Sequence, residues 1–249
     1  MPDFLPDLPV EGILECLKRS PGNELNSGKF DSPDSSAALV ANAFGWFLNR
    51  AADLPPLPGV PAGVPTSVTL EAEMRFPWTG GRHPWLDVGI ETDTTLIGVE
   101  SKRYEPFRPG KASGFSEVYD RPVWGEKMAG FTKVRDALVA GDVEYDALDA
   151  VQLIKHAYGI YTRSEKRAMG AVLVYLYAEP ATWMSSGRPV DAKRVAVHRR
   201  EVNDFSKRVL GDSVVFVPLR WVDLLGQWAK VPALQAHVGA IRDRFGNLG

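Results

Sequence analysis

Glu100 and Lys102 stand at the end of the apolar run Leu96-Ile97-Gly98-Val99, with only Ser101 between them. Side chains alternate across a strand, so the two emerge on one face, about 7 Å apart along the chain. Asp87 lies inside the preceding apolar run, between Leu86 and Val88, where a short hairpin brings its carboxylate beside Glu100. An acid in that setting has poor strand propensity and needs a reason. Two carboxylates at close quarters repel unless something neutralises them, and a hard divalent cation does so directly. Asp87, Glu100 and the backbone carbonyl of Ser101 are suitable ligands for Mg²⁺, with Mn²⁺ as a substitute. Such an ion polarises a phosphoryl oxygen and acidifies a bound water, while Lys102 positions that water or stabilises developing negative charge. The bland alternative for Glu100 and Lys102 is a solvated strand face carrying an ion pair.

These residues need a sheet to hold them, and the hydrophobic pattern supplies one. "VTLEAEMR", Val68 to Arg75, alternates, with Val68, Leu70, Ala72 and Met74 on one face and Thr69, Glu71, Glu73 and Arg75 on the other. "WLDVGIE" and "TLIGVESKR" follow across short turns, completing a three-stranded meander. Before it, "SPDSSAALVANAFGWFLNRA" predicts a helix with Ser32 as cap and Pro33 at its first position. "LPPLPGVPAGVPT" is an extended connector. After the meander, "EPFRPGKASGFSEVYDRPVWG" has no period and reads as an irregular wall of a cleft. Helices are expected over Glu126 to Ala140, with Gly141 as C-cap, and around Asp146 to Tyr158. "AMGAVLVYLYA" is apolar on both faces, as in a central strand covered by helices. A basic helix "DAKRVAVHRREVNDFSKRVL", a strand "SVVFVPL" and two closing helices complete an α/β sandwich with a mixed sheet.

Asp87 followed by Glu100-Ser101-Lys102, set on consecutive strands, resembles the signature of the PD-(D/E)XK nuclease superfamily. The resemblance implies a restriction-endonuclease-like three-layer sandwich with an α-β-β-β-α-β core over residues 33–178 and helical additions at both termini. It also implies one domain over 1–249, with 179–249 as a C-terminal elaboration. It further implies Mg²⁺-dependent endonucleolytic hydrolysis of DNA leaving a 5′-phosphate and a 3′-hydroxyl. Asp87, Glu100 and the Ser101 carbonyl would hold the ion and Lys102 would prepare the water. Glu73, chosen over Glu71, and Gln152 would be auxiliaries. Gln152, Lys155 and His156 share one face of a helix, as in families of this superfamily that place a glutamine- or lysine-bearing helix beside the metal. Leu86 stands where the pattern has proline. Asp191-Ala192-Lys193 fits the tripeptide too, but opens a helix and has no upstream strand carboxylate.

The chain of 249 residues carries a formal net charge of -2, so nothing global attracts nucleic acid and any phosphate contact must be local. Lys155, His156, Arg163 and Lys166 are candidates for it, and Arg167, Lys193, Arg194, Arg199 and Arg200 extend the basic set, each also readable as a solvated helix face. His83 reads as exposed or DNA-facing, and Trp78, Trp85 and Trp124 as stacking platforms or packed rim. A single cysteine, Cys16, excludes an internal disulfide and a cysteine zinc cluster. The acidic, proline-rich start and the shortness of the apolar runs predict a cytoplasmic protein with no membrane partner. A homodimer is open. Two other classes compete: a non-cleaving nucleic-acid-binding module on the same fold, and a glycosidase with Asp87 as acid and Glu100 as nucleophile, in which Lys102 has no place.

Overall fold

The structure, a computed structural model, describes residues 2–22, 25–109, 114–246 and 248–249. Residues 110–113, inside the expected irregular wall, fall outside the described residues. Five strands form one sheet in chain order: β1 (Ser67–Glu73), β2 (Trp85–Glu91), β3 (Thr95–Lys102), β4 (Gly170–Tyr177) and β5 (Val214–Arg220). The first three are the expected antiparallel meander, whereas β3, β4 and β5 run parallel. Parallel neighbours need crossovers. Those are α3 (Ala129–Ala140) with α4 (Ala150–Arg167), and then α5 (Ala192–Arg208). Strand order advances in one direction, so crossovers of one hand place all three helices on one face of the sheet. The other face is covered by α1 (Val10–Arg19), α2 (Ser36–Gly45), α6 (Trp221–Trp228) and α7 (Gln235–Phe245). The two faces carry separate apolar clusters, one built on Phe44, Val99, Val174 and Trp221, the other on Phe131, Tyr158, Leu173 and Phe205. The result is an α/β protein of three layers with a five-stranded mixed sheet among the described residues.

Several boundaries differ from the sequence expectation. The first predicted helix begins at Ser36 rather than Pro33, because the Ser35 hydroxyl accepts the Ala38 N–H as the cap, while Ser32 closes the turn before it. That helix ends at Gly45, and almost all of it is buried, so its spacing marks a core helix rather than an amphipathic one. Helix α1 was not expected at all. Helix α4 starts at Ala150, capped by Asp149, and runs on to Arg167. Pro218 sits in β5, which is an edge strand and tolerates the missing donor.

The largest departure lies in the meander. Leu70 packs into the α1/α2 cluster, but Ala72 packs into the α4 cluster, and Val88 and Leu86 divide in the same way. Residues two apart in a regular strand share a face. Here the alternation of β1 turns over at Glu71, whose φ of 51° is in the left-handed region, and β2 turns over opposite it at Asp87. The register runs from Leu70–Val88 to Ala72–Leu86 across that point. The predicted single face through Val68, Leu70, Ala72 and Met74 is therefore corrected.

Candidate active site

Asp87 sits where β2 parts from β3. The described pairing of these strands runs from Glu91–Leu96 to Val88–Val99, and Asp87 is the next residue. There its side chain takes over the ladder's work: Asp87 Oδ2 accepts the Ser101 N–H at 2.6 Å. A strand residue points its N–H and C=O the same way. Lys102 turns its carbonyl to Ala178 on the β4 side, so Ser101 directs its own carbonyl toward Asp87. The Ser101 hydroxyl faces the opposite layer and accepts from Trp221 Nε1 at 3.1 Å.

Glu100 and Lys102 share the α4 side of β3, as alternation requires. Lys102 Nζ donates to Glu100 Oε1 at 2.5 Å, and both side chains are largely buried. The other carboxylate oxygen, Oε2, lies 3.2 Å from His156 Nδ1 on α4, out of hydrogen-bond alignment. Burial, with Glu100 next to it, pushes the Asp87 carboxyl well above its ordinary range, and burial likewise raises Glu100. Burial also works against the Lys102 ammonium, but Glu100, Asp87 and Glu105 outweigh it and hold the proton more tightly than in water. The carboxylates thus favour the ammonium form of Lys102 over the amine. His156 is driven the other way, down to about 3, by burial and by the nearby Lys102, so its ring is neutral.

A third acid, unassigned from sequence, completes the group. Glu105 follows β3 and accepts the backbone N–H groups of Arg103 and Tyr104 at 2.8 and 3.0 Å and the Ser36 hydroxyl at 2.5 Å. Although buried, it is held below the ordinary carboxylate range by Lys102 and these donors. It ties the end of β3 to the start of α2. A chain position after the strand gave no periodic signal for this role.

These side chains open on a cavity of about 440 Å³ lined by Asp87, Glu100, Ser101, Lys102, Glu105 and Gln152, and also by Glu71, Lys29 and Arg108. Asp87, Glu100, Ser101, Lys102 and Gln152 are thus brought together as the sequence suggests. Glu73 is not: it lines a different recess and pairs with Arg75 at 3.3 Å. The overturned alternation at Glu71 puts Glu71 in the cavity instead. The expected phosphate contacts also move. His156 is buried behind Glu100, Lys155 donates to the Gly114 carbonyl, and Arg163 and Arg167 pair with Glu91. Arg199 is held by Glu179 and Arg194 by the carbonyls of Pro106, Arg108 and Asp146; Lys166 stays exposed. Trp124 is core, stacked on Tyr158 at 3.9 Å, and His83 Nδ1 accepts the Phe76 N–H.

No protein-family model, no curated protein and no solved structure matches the chain. Among the described residues no three His, Cys, Asp or Glu side chains are grouped to hold a metal. The oxygens that could serve a metal at this cavity are the carboxylates of Asp87 and Glu100 and the Ser101 backbone carbonyl, all hard donors. That set fits Mg²⁺, which binds through one or two carboxylates and leaves its other positions to water and substrate phosphate. It is too sparse for an all-protein cage. No helix among the described residues is long and apolar enough to cross a membrane.

Proposed function

We propose that the protein is a metal-dependent phosphodiesterase acting on DNA, with a fold of the restriction-endonuclease-like kind. The observation that carries this reading is the convergence of buried Glu100 with half-buried Asp87 and Lys102 at the parting of β2 and β3, opening on one cavity. Two neighbouring acids with raised proton affinity, Glu100 buried and Asp87 half-buried, are costly in a resting protein unless the charged form has a task. Asp87, Glu100 and the Ser101 carbonyl would hold a hard divalent cation, which when bound would polarise the phosphoryl oxygen and acidify a water. Lys102, protonated and anchored to Glu100, would place positive charge where the pentacoordinate phosphate accumulates negative charge. Gln152, at the first turn of α4 and on the cavity wall, would orient the substrate. The same geometry speaks against a glycosidase, since the lysine is joined to the carboxylate that would have to act as nucleophile.

The test is Lys102→Ala, assayed with Mg²⁺ on plasmid and on single-stranded and duplex oligonucleotides. Cleavage should fall by at least about 100-fold, the loss expected for one transition-state charge donor. Mn²⁺ affinity by calorimetry should be kept or rise, because a competing cation leaves Glu100. A variant that cuts at the parental rate removes the assignment.

A further inference from the structure

The site cavity does not stand alone. It shares Lys102, Glu105, Arg108 and Gln152 with a larger recess of about 800 Å³ running under the N-terminal end of α4. On the other side it shares Glu71 and Trp85 with a recess of about 560 Å³ along β1 and β2. The cavity that holds the carboxylates and Lys102 is thus the one that shares lining with both of the others. An aromatic ring stands in each flank: Trp85, partly buried, on the β2 side, and Phe115, partly buried beneath the Lys155 ammonium, on the α4 side.

The flanks differ in charge. The β1 recess is lined by Arg19, Arg75, Arg163 and Lys166, against Glu71, Glu73 and Glu91; Arg163 pairs with Glu91 and Arg75 with Glu73, so Arg19 and Lys166 are the cations left to meet a phosphate there. The α4 recess adds Glu144, Asp146 and Asp149 to Glu105, and among the described residues its cations are Lys102 and Arg108 alone. Phosphates are disfavoured there, whereas an uncharged base is not. Its wall is otherwise apolar, with Phe115, Leu138, Val143 and Leu148. A paired base cannot enter such a recess, since its edges are occupied and its faces are stacked.

We propose that the strand crossing the site is unpaired, so that the substrate class is single-stranded DNA. Its phosphates follow the β1 recess past Trp85, the scissile phosphate lies over Asp87, Glu100 and Lys102, and the next nucleoside places its base against Phe115 in the α4 recess. Base–aromatic stacking is indifferent to sequence, so the preference is for strandedness and not for a base sequence. This rests on the phosphodiesterase reading and goes further in naming what is cut.

The experiment compares a labelled oligonucleotide with the same strand annealed to its complement, with Mg²⁺ or Mn²⁺, for the full chain and for Trp85→Leu and Phe115→Ala. The single strand should be cut at least about 10-fold faster, a difference equivalent to 1.4 kcal/mol. Each substitution should weaken single-strand affinity, read by fluorescence anisotropy, by about 5- to 100-fold. Phe115 lies outside the sheet, so its variant keeps the test open if the Trp85 variant fails to fold. Duplex and single strand cut at equal rates overturn the inference and leave the phosphodiesterase standing. If neither is cut, the phosphodiesterase reading falls and takes with it the naming of a substrate; tighter binding of the single strand, lost in Phe115→Ala, would then leave the recesses as a binding track for an unpaired strand, and equal affinity would remove that too.

Discussion

At the residue scale the centre is governed by a competition between burial and charge. Asp87 and Glu100 are pushed toward their neutral forms by burial, and Lys102 is kept charged by the same carboxylates. Asp87 has two separable duties, accepting the Ser101 N–H and supplying negative charge. Asp87→Asn keeps the first and deletes the second. An amide costs less to bury than a carboxylate, so this variant should melt at or above the parental temperature by calorimetry. Its Mn²⁺ affinity should fall by about 10- to 100-fold, the scale on which metal sites respond to altered ligation. A lower melting temperature with unchanged metal affinity would show that Asp87 serves the fold alone.

At the element scale the site exists because two strands stop behaving regularly at the same level. Glu71 adopts a left-handed φ in β1, and β2 turns its side chains over at Asp87. The freed width between β2 and β3 is filled by the Asp87 carboxylate. Helix α4 must then come close enough to bring Gln152 and His156 to β3, and Gly159 allows it. A Cβ at Gly159 would stand 2.7 Å from Met74 Cβ and 2.9 Å from the Met74 carbonyl oxygen. Alanine would gain about 1 kcal/mol of helix propensity, but overpacking against backbone costs about 1–3 kcal/mol, and the neighbour here cannot swing aside. Gly159→Ala should therefore lower the melting temperature and reduce cleavage, since α4 moves away from Glu100. A variant more stable than the parent would show that the helix has slack.

At the scale of the whole molecule, Arg103 connects distant segments directly behind the site. Its guanidinium is fully buried and donates to the carbonyls of Pro33, before α2, and Phe245, at the end of α7, with Met184 beside it. A charged donor to a carbonyl contributes about 1.5–3 kcal/mol, so Arg103→Leu should destabilise by about 3 kcal/mol or more in urea denaturation. The buried His198 sets a pH limit on the α5 side. Its Nε2 meets the Tyr175 hydroxyl at 2.8 Å, and burial lowers it to about 4. The unfolded chain takes up that proton first, near 6.5. Stability is thus present above pH 6.5 and is lost as the pH falls toward 4, by about 2 kcal/mol at pH 5. For a chain of this size that is about 5 °C. His198→Gln should reduce the drop in melting temperature between pH 7.5 and 5 by that amount relative to the parent; an identical drop would place the acid sensitivity elsewhere.

The amino-acid sequence alone determined the order of elements from α2 onward and the face that Glu100 and Lys102 share, because both follow from local periodicity: period two in β3, 3.6 in α4. It also marked Asp87, since an acid between Leu86 and Val88 contradicts its surroundings. It could not show that Glu71 and not Glu73 enters the cavity. That choice follows from a positive φ at Glu71, which a β-propensity reading of "VTLEAE" has no means to anticipate. Nor could it find Glu105, whose partners Ser36 and Lys102 lie on different elements, or show that Arg163, Arg194 and Arg199 are already engaged. Pairings of charge and cavities between layers depend on long-range packing. Only the tertiary structure decides which charged side chains are left to meet a substrate.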